Sequence, residues 1–156
     1  MNENNLEKII NNIVGDAIVK EVMSLKLAVK LIETVEEKAA EMGLAVVVAV
    51  SDASGRPIAV HCMDGAYHGS FDVAVNKTYT STAFQMSTAK LSRLCQPGQD
   101  LYGLQFSNVM ILGGGEPLMV GKTMIGALGV SGGSAQEDSD LAAYGASALK
   151  EVIKCL

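Results

Sequence analysis

The sequence predicts one α+β domain in which helices pack on a mainly antiparallel sheet of five strands. Three observations lead there. The chain has 156 residues, enough for one domain with a real core, and 49% of them are hydrophobic although only 4% are aromatic. The unbroken apolar run Leu44-Ala-Val-Val-Val-Ala-Val50 reads as a central strand covered on both faces. The remaining strand-like segments sit a short turn from one another, so hairpins rather than helical crossovers join them.

The elements follow in order. Residues 6–14 carry Leu6, Ile9, Ile10, Ile13 and Val14 at helical spacing, with Glu7, Lys8, Asn11 and Asn12 on the opposite side. A helix this short is marginal alone in water, so it needs an apolar groove on its own domain, on a sister subunit or on a partner. Ser24 is the expected N-cap of a helix over Leu25–Met42, with Leu25, Ala28, Val29, Ile32, Val35 and Ala39 on its apolar side. Gly43 stands where a left-handed residue ends a helix. After the Leu44–Val50 strand, Asp52-Ala-Ser-Gly55 makes a turn and Pro57–Met63 returns as a second strand. Ser70 is placed to cap a helix from Phe71 to about Gln85, and Ser87 another from Thr88 to Leu94, before Gln96-Pro-Gly98 breaks the chain. Val109–Leu112, Pro117–Val120 and Thr123–Ser131 complete the strands. Ser134-x-x-Glu137 is a capping box for a last helix that buries Leu141, Ala148, Leu149 and Val152, with Gly145 allowing a close approach to the sheet.

Composition excludes several classes. The net charge is −5 with no basic run, which argues against nucleic acid as a partner. No stretch has the length of a membrane span and no secretory signal opens the chain, so a cytoplasmic protein is expected. Cys62, Cys95 and Cys155 form no Cys-x-x-Cys pair, and reduced thiols without a structural zinc are expected. Sixteen glycines and a high apolar content leave surface for self-association. Gly115…Gly121-Lys122-Thr123 imitates a phosphate-binding loop, but five residues intervene where that loop needs four, and Pro117 removes a cradle N–H. A β-hairpin, with turns at Gly113–Gly115 and at Gly121-Lys122, fits better. Gly129-Val-Ser-Gly-Gly133 has the spacing of a nucleophile elbow, yet both histidines precede Ser131 and the triad order is missing.

Several stretches together resemble the GlcG/HbpS-like family, which includes the C-terminal domain of PduO-type proteins. They are Val48-Ala-Val-Ser-Asp-Ala-Ser-Gly55, Met63-Asp-Gly-Ala66, Ser70-Phe-Asp72, Asn76-Lys-Thr78, Gln96-Pro-Gly98, Tyr102-Gly-Leu104, Gly113-Gly-Gly-Glu-Pro117 and Ile125–Gly133, with Glu137-Asp138 close behind. The resemblance covers about residues 24–154, dividing the chain into an extension, 1–22, and a domain, 23–156. It implies a profilin-like three-layer α/β/α fold with a five-stranded antiparallel sheet. It also implies a homo-oligomer and a tetrapyrrole ligand, with haem ahead of cobalamin. The corrinoid adenosyltransferase activity of PduO-type proteins belongs to a separate N-terminal domain and does not carry over. The extension is similar to the short peptides that carry cargo into bacterial microcompartments. That similarity implies shell proteins as partners, docked through Leu6, Ile9, Ile10, Ile13 and Val14, and a location inside such a compartment.

With a tetrapyrrole in view, His61 and His68 become the candidate axial ligands of haem iron. Strand alternation groups His61 with Ala59 and Met63 on one face, and Cys62 with Val60 and Ile58 on the other. Met63 or Cys62 is thus a further soft ligand near His61, while His68 lies in the Gly65–Gly69 loop. Lys77 falls in a helix of small and β-branched residues, where a buried ammonium needs a carboxylate, and Asp52 or Asp64 is the expected partner. Gly113, Gly114, Gly115, Gly132 and Gly133 either bring backbone N–H groups to the same rim or make ordinary turns. No catalytic residue is assigned. The leading reading is an oligomeric binding protein for haem or a related tetrapyrrole. The alternatives are an accessory enzyme acting on a small hydroxy acid or aldehyde-pathway metabolite through Lys77 and Asp64, and an assembly protein that docks on a shell or an enzyme.

Overall fold

The computed structural model describes Asn5, residues 22–104 and residues 107–156. The docking residues expected at Leu6, Ile9, Ile10, Ile13 and Val14 lie outside the described residues. In chain order the elements are α1 (Leu25–Glu41), β1 (Val47–Asp52), β2 (Pro57–Cys62), α2 (Ser70–Phe84), α3 (Thr88–Leu94), β3 (Gly115–Val120), β4 (Thr123–Ser131) and α4 (Ala135–Lys154).

Four strands form one antiparallel sheet in the order β2-β1-β4-β3. The apolar run forms its centre, as expected of a strand flanked on both edges and both faces. Val46, Val48 and Val50 point into the main core with Leu118, Leu128 and Val130, covered by α1 and α4. Val47 and Ala49 point the other way, onto Ala74 of α2. The sheet is therefore the middle of three layers. Gly145 of α4 is a required close approach, because a Cβ there would overlap Leu128 and sit 2.6 Å from Val35 Cγ2. The capping box forms as expected, with Ser134 Oγ accepting from Glu137 N at 3.2 Å and Glu137 Oε2 accepting from Ser134 N at 2.7 Å.

The structure corrects the sequence at five places. The expected strand over Val109–Leu112 is absent, leaving four strands rather than five among the described residues. Met110 N donates instead to Thr80 Oγ1 at 2.8 Å, which ties this segment to α2 rather than to the sheet edge. The second helix begins at Ser70 itself, with Gly69 as its N-cap and no side-chain capping bond. A register shift between Val50 and Ser51 carries Ile58 to the main-core face, although alternation assigned it to the face of Cys62. On α1 the buried side is Leu27, Ala28, Leu31, Ile32, Val35 and Ala39, which leaves Leu25 62% exposed and Val29 half-buried. The fifth correction concerns the partner of Lys77.

Candidate functional site

Helix α2 lies on β4 and β1 and carries an unusually polar buried side: Lys77, Thr78, Thr80, Ser81 and Thr82. Its hydroxyls are satisfied locally. Thr78 donates to Val75 O at 2.8 Å, Thr80 to Asn76 O at 2.7 Å and Thr82 to Tyr79 O at 2.8 Å. Lys77 needs more, because its side chain is only 2% exposed. Its Nζ lies 2.8 Å from Asp138 Oδ2 and donates to Val130 O at 2.6 Å. Asp138 Oδ1 in turn accepts from Gly133 N at 2.8 Å. Burial lowers the Lys77 pKa, opposed by the hydrogen bond and the charge of Asp138.

Asp138, not Asp52 or Asp64, is thus the carboxylate that Lys77 meets. Asp52 Oδ1 is engaged within its own turn, accepting from Ser54 N at 2.8 Å and Arg56 N at 3.0 Å. Asp64 is exposed on the loop after β2. The structure does not bring Lys77 and Asp64 together as a reacting pair. Gly114 and Gly115 close over the ion pair. Gly114 has φ +115°, and a Cβ on it would lie 2.7 Å from Lys77 Nζ and 2.8 Å from Asp138 Cβ. Gly115 N donates to Thr88 Oγ1 at 2.8 Å, so that N–H is used inside the fold.

The two histidines part company. His61 faces the α1 side of the sheet, opposite Val48 in register, and its Nδ1 lies 3.3 Å from the Glu36 carboxylate. Met63 packs against the core on that same side. His68 belongs to the loop between β2 and α2, which crosses the other face of the sheet. There it lines a cleft of about 370 Å³ with Val47, Cys62, Ala66, Tyr67, Phe71 and Asp72. Of the residues that line it with His68, Tyr67 is 75% exposed and Phe71 45% exposed. Sequence reasoning missed Tyr67, Phe71 and Asp72 at this place. The available signal was their spacing around His68, one residue before it and three and four after it, where a loop becomes a helix.

An imidazole and a thiol thus share a cleft with two aromatic side chains, on a small α+β domain with an antiparallel sheet. The model of a family described as haem degrading protein HbpS-like matches residues 23–147, and the chain belongs to that family. Among curated proteins it is 39% identical to a 15.0 kDa protein encoded in the dhaT-dhaS intergenic region of Citrobacter freundii, over 77% of this chain and 87% of that one. It is 38% identical to the corrinoid adenosyltransferase PduO of Salmonella typhimurium, over 68% of this chain but only 32% of that protein. The chain thus spans about a third of PduO. Among solved structures, a Klebsiella pneumoniae protein called ORFY aligns with a TM-score of 0.78 at 35% identity, covering 82% of this chain and 90% of that one. A complex of PduOC with haem aligns with a TM-score of 0.77 at 34% identity, covering 81% of this chain and 94% of that one.

Proposed function

We propose that this protein binds a tetrapyrrole, haem first, in the cleft of His68. The observation that carries the reading is the composition of that cleft, in which an imidazole shares the lining with two aromatic side chains, Tyr67 and Phe71, and with the apolar Val47 and Ala66. The donor set fits the group. An imidazole is a common axial ligand of haem iron, and aromatic faces stack on a macrocycle. The cleft volume of about 370 Å³ lies at the small end for ligand sites, so the cleft holds one edge of a macrocycle and leaves the rest at the surface. Kinship to PduOC, which has been crystallised with haem, supports the same ligand. When bound, haem would supply a redox-active iron. The residues that would hold it are His68 through its imidazole, Tyr67 and Phe71 through their ring faces, and Cys62 through its thiol.

A second copy of the chain is the natural cover for the remainder. Phe71, Tyr79 and Ala83 are exposed along α2, beginning at the cleft itself, while Val75 between them packs inward against Val47, Ala49 and Ala74. Phe71 and Tyr79 are 45% and 39% exposed, so this stripe supports a homo-oligomer whose interface borders the ligand. The similarity of residues 1–22 to the short peptides that carry cargo into bacterial microcompartments supports such a compartment as the setting, which a fluorescent fusion of the whole chain would test by its localisation.

The deciding experiment is a haemin titration followed in the Soret band, with cobalamin in parallel, on the wild type, His68→Ala and His61→Ala. A saturable shift that weakens in His68→Ala and survives in His61→Ala is expected. Weakening in His61→Ala alone would move the site to the α1 side of the sheet, next to Met63. Weakening in neither would remove both axial assignments, and a featureless titration with both ligands would overturn tetrapyrrole binding.

A further inference from the structure

The helix α1 is more apolar than its own domain can cover. Its buried side uses Leu27, Ala28, Leu31, Ile32, Val35 and Ala39, which leaves Leu25 and Val29, one turn apart, as a second apolar strip. With Leu156 these residues line a surface groove of about 540 Å³, rimmed by Lys26, Lys30 and Glu33. Leu156 is held in place as the groove's far wall by Lys26 Nζ, which donates to Leu156 O at 3.2 Å. Leu25 is 62% exposed, Leu156 43%, and Val22, immediately before the groove, 56%. Three large apolar side chains are thus left open at the very point where the chain enters the domain.

We propose that residues 6–14 of the same chain dock in this groove as an amphipathic helix, with Leu6, Ile9, Ile10, Ile13 and Val14 against Leu25, Val29 and Leu156. The sequence of the occupant fits the need. Its apolar residues recur at helical spacing over nine positions, roughly 13 Å of helix, which matches the roughly 12 Å that separate Leu25 from Glu33 along α1. Residues 15–21 join the two. Seven residues extend to roughly 25 Å, so the segment reaches any part of the groove, and Gly15 permits the sharp change of direction. Tethering supplies what the groove lacks in depth. A short linker holds the segment at an effective concentration in the millimolar range, so a contact too weak to capture a free nine-residue peptide still keeps this one seated. The segment gains in turn, because so short a helix is marginal until an apolar surface supports it.

Hydrogen exchange on the full chain, read by mass spectrometry, tests the proposal. In the wild type the amides of residues 9–14 should exchange about tenfold more slowly than an unstructured chain, and Leu25→Glu with Val29→Glu should abolish that protection. Leu25 is exposed and Val29 half-buried, outside the buried side of α1, and undiminished protection of β1 and β4 will show that the variant stays folded. A second experiment leaves the groove intact. Cys155 neighbours Leu156 and is exposed, so Ile13→Cys, with Cys62→Ser and Cys95→Ser, offers it a partner under mild oxidation. Mixing isotope-labelled and unlabelled chains separates bridges within a chain from bridges between chains. Bridges within a chain support the proposal. Bridges between chains would make a second copy the occupant and overturn it. Absence of protection in the wild type, or protection that survives the two glutamates, would also overturn it. Haemin binding by the Leu25→Glu, Val29→Glu variant should equal that of the wild type, so failure here and failure of the ligand assignment are separately visible.

Discussion

Replacing Lys77 with Met keeps most of the aliphatic stem and removes the ammonium. Val130 O then loses a donor, and the Asp138 carboxylate, in a residue 4% exposed, keeps only the Gly133 N–H. Removing one member of a buried ion pair costs about 3–5 kcal/mol, because the charge left behind has lost water and gained nothing in exchange. Domains have total stabilities of only about 5–15 kcal/mol, so the variant should sit near the edge of folding. For a chain of this size the loss corresponds to a fall in Tm of roughly 6–20 °C. The assay is denaturant unfolding followed by circular dichroism. Lys77→Met combined with Asp138→Leu removes both charges and should recover much of the loss. A single variant within about 1 kcal/mol of the wild type at pH 7 would refute the reasoning, since a pair worth so little is not desolvated in the way these distances imply.

Three further outcomes are expected. Gly114→Ala should destabilise by about 2 kcal/mol or more in the same assay, because its φ of +115° disfavours a side chain and its Cβ would collide with Lys77 Nζ and Asp138. Glu116, half-buried on the edge strand β3, has its pKa raised above 4.5 by burial alone. Its folded form holds a proton more tightly than its unfolded form, so stability falls as pH rises from 4.5 through the folded value. Glu116→Gln should therefore be the more stable protein at pH 7, with the advantage vanishing below about pH 4.5, as urea midpoints across that range would show. Ser134→Ala should cost about 1 kcal/mol through loss of the N-cap, with the m-value unchanged.

The candidate site shows how far local pattern reaches. His68 could be singled out because a loop histidine between a strand and a helix stands at a surface, and the structure puts it in a cleft. The separation of His61 from His68 was half legible: alternation grouped His61 with Met63, and that grouping holds. Nothing along the chain said that the loop bearing His68 crosses the opposite face, since loop direction depends on what it packs against. Lys77 announced a buried cation by the small residues around it. Its partner was out of reach, because Asp138 is 61 residues away and enters only when α4 folds back beside β4. Asp138 follows Glu137 of the capping box, where an acidic residue already has a local explanation as a companion of the helix N-terminus.

By itself the sequence determined what short-range physics determines. The apolar run is a central strand, and serines cap the starts of three of the four helices among the described residues. These follow from side-chain period and capping chemistry, each read within a few residues. Tertiary structure decided which apolar and polar residues find partners. Met110 gives its N–H to Thr80 rather than to a fifth strand, Lys77 meets Asp138, and Leu25 and Val29 are left uncovered because the core beneath α1 is filled by Leu27 and Leu31. The reason is that a hydrogen bond or a buried contact is satisfied by whatever the fold brings near, and nearness in space is not a property of the chain's neighbours in sequence.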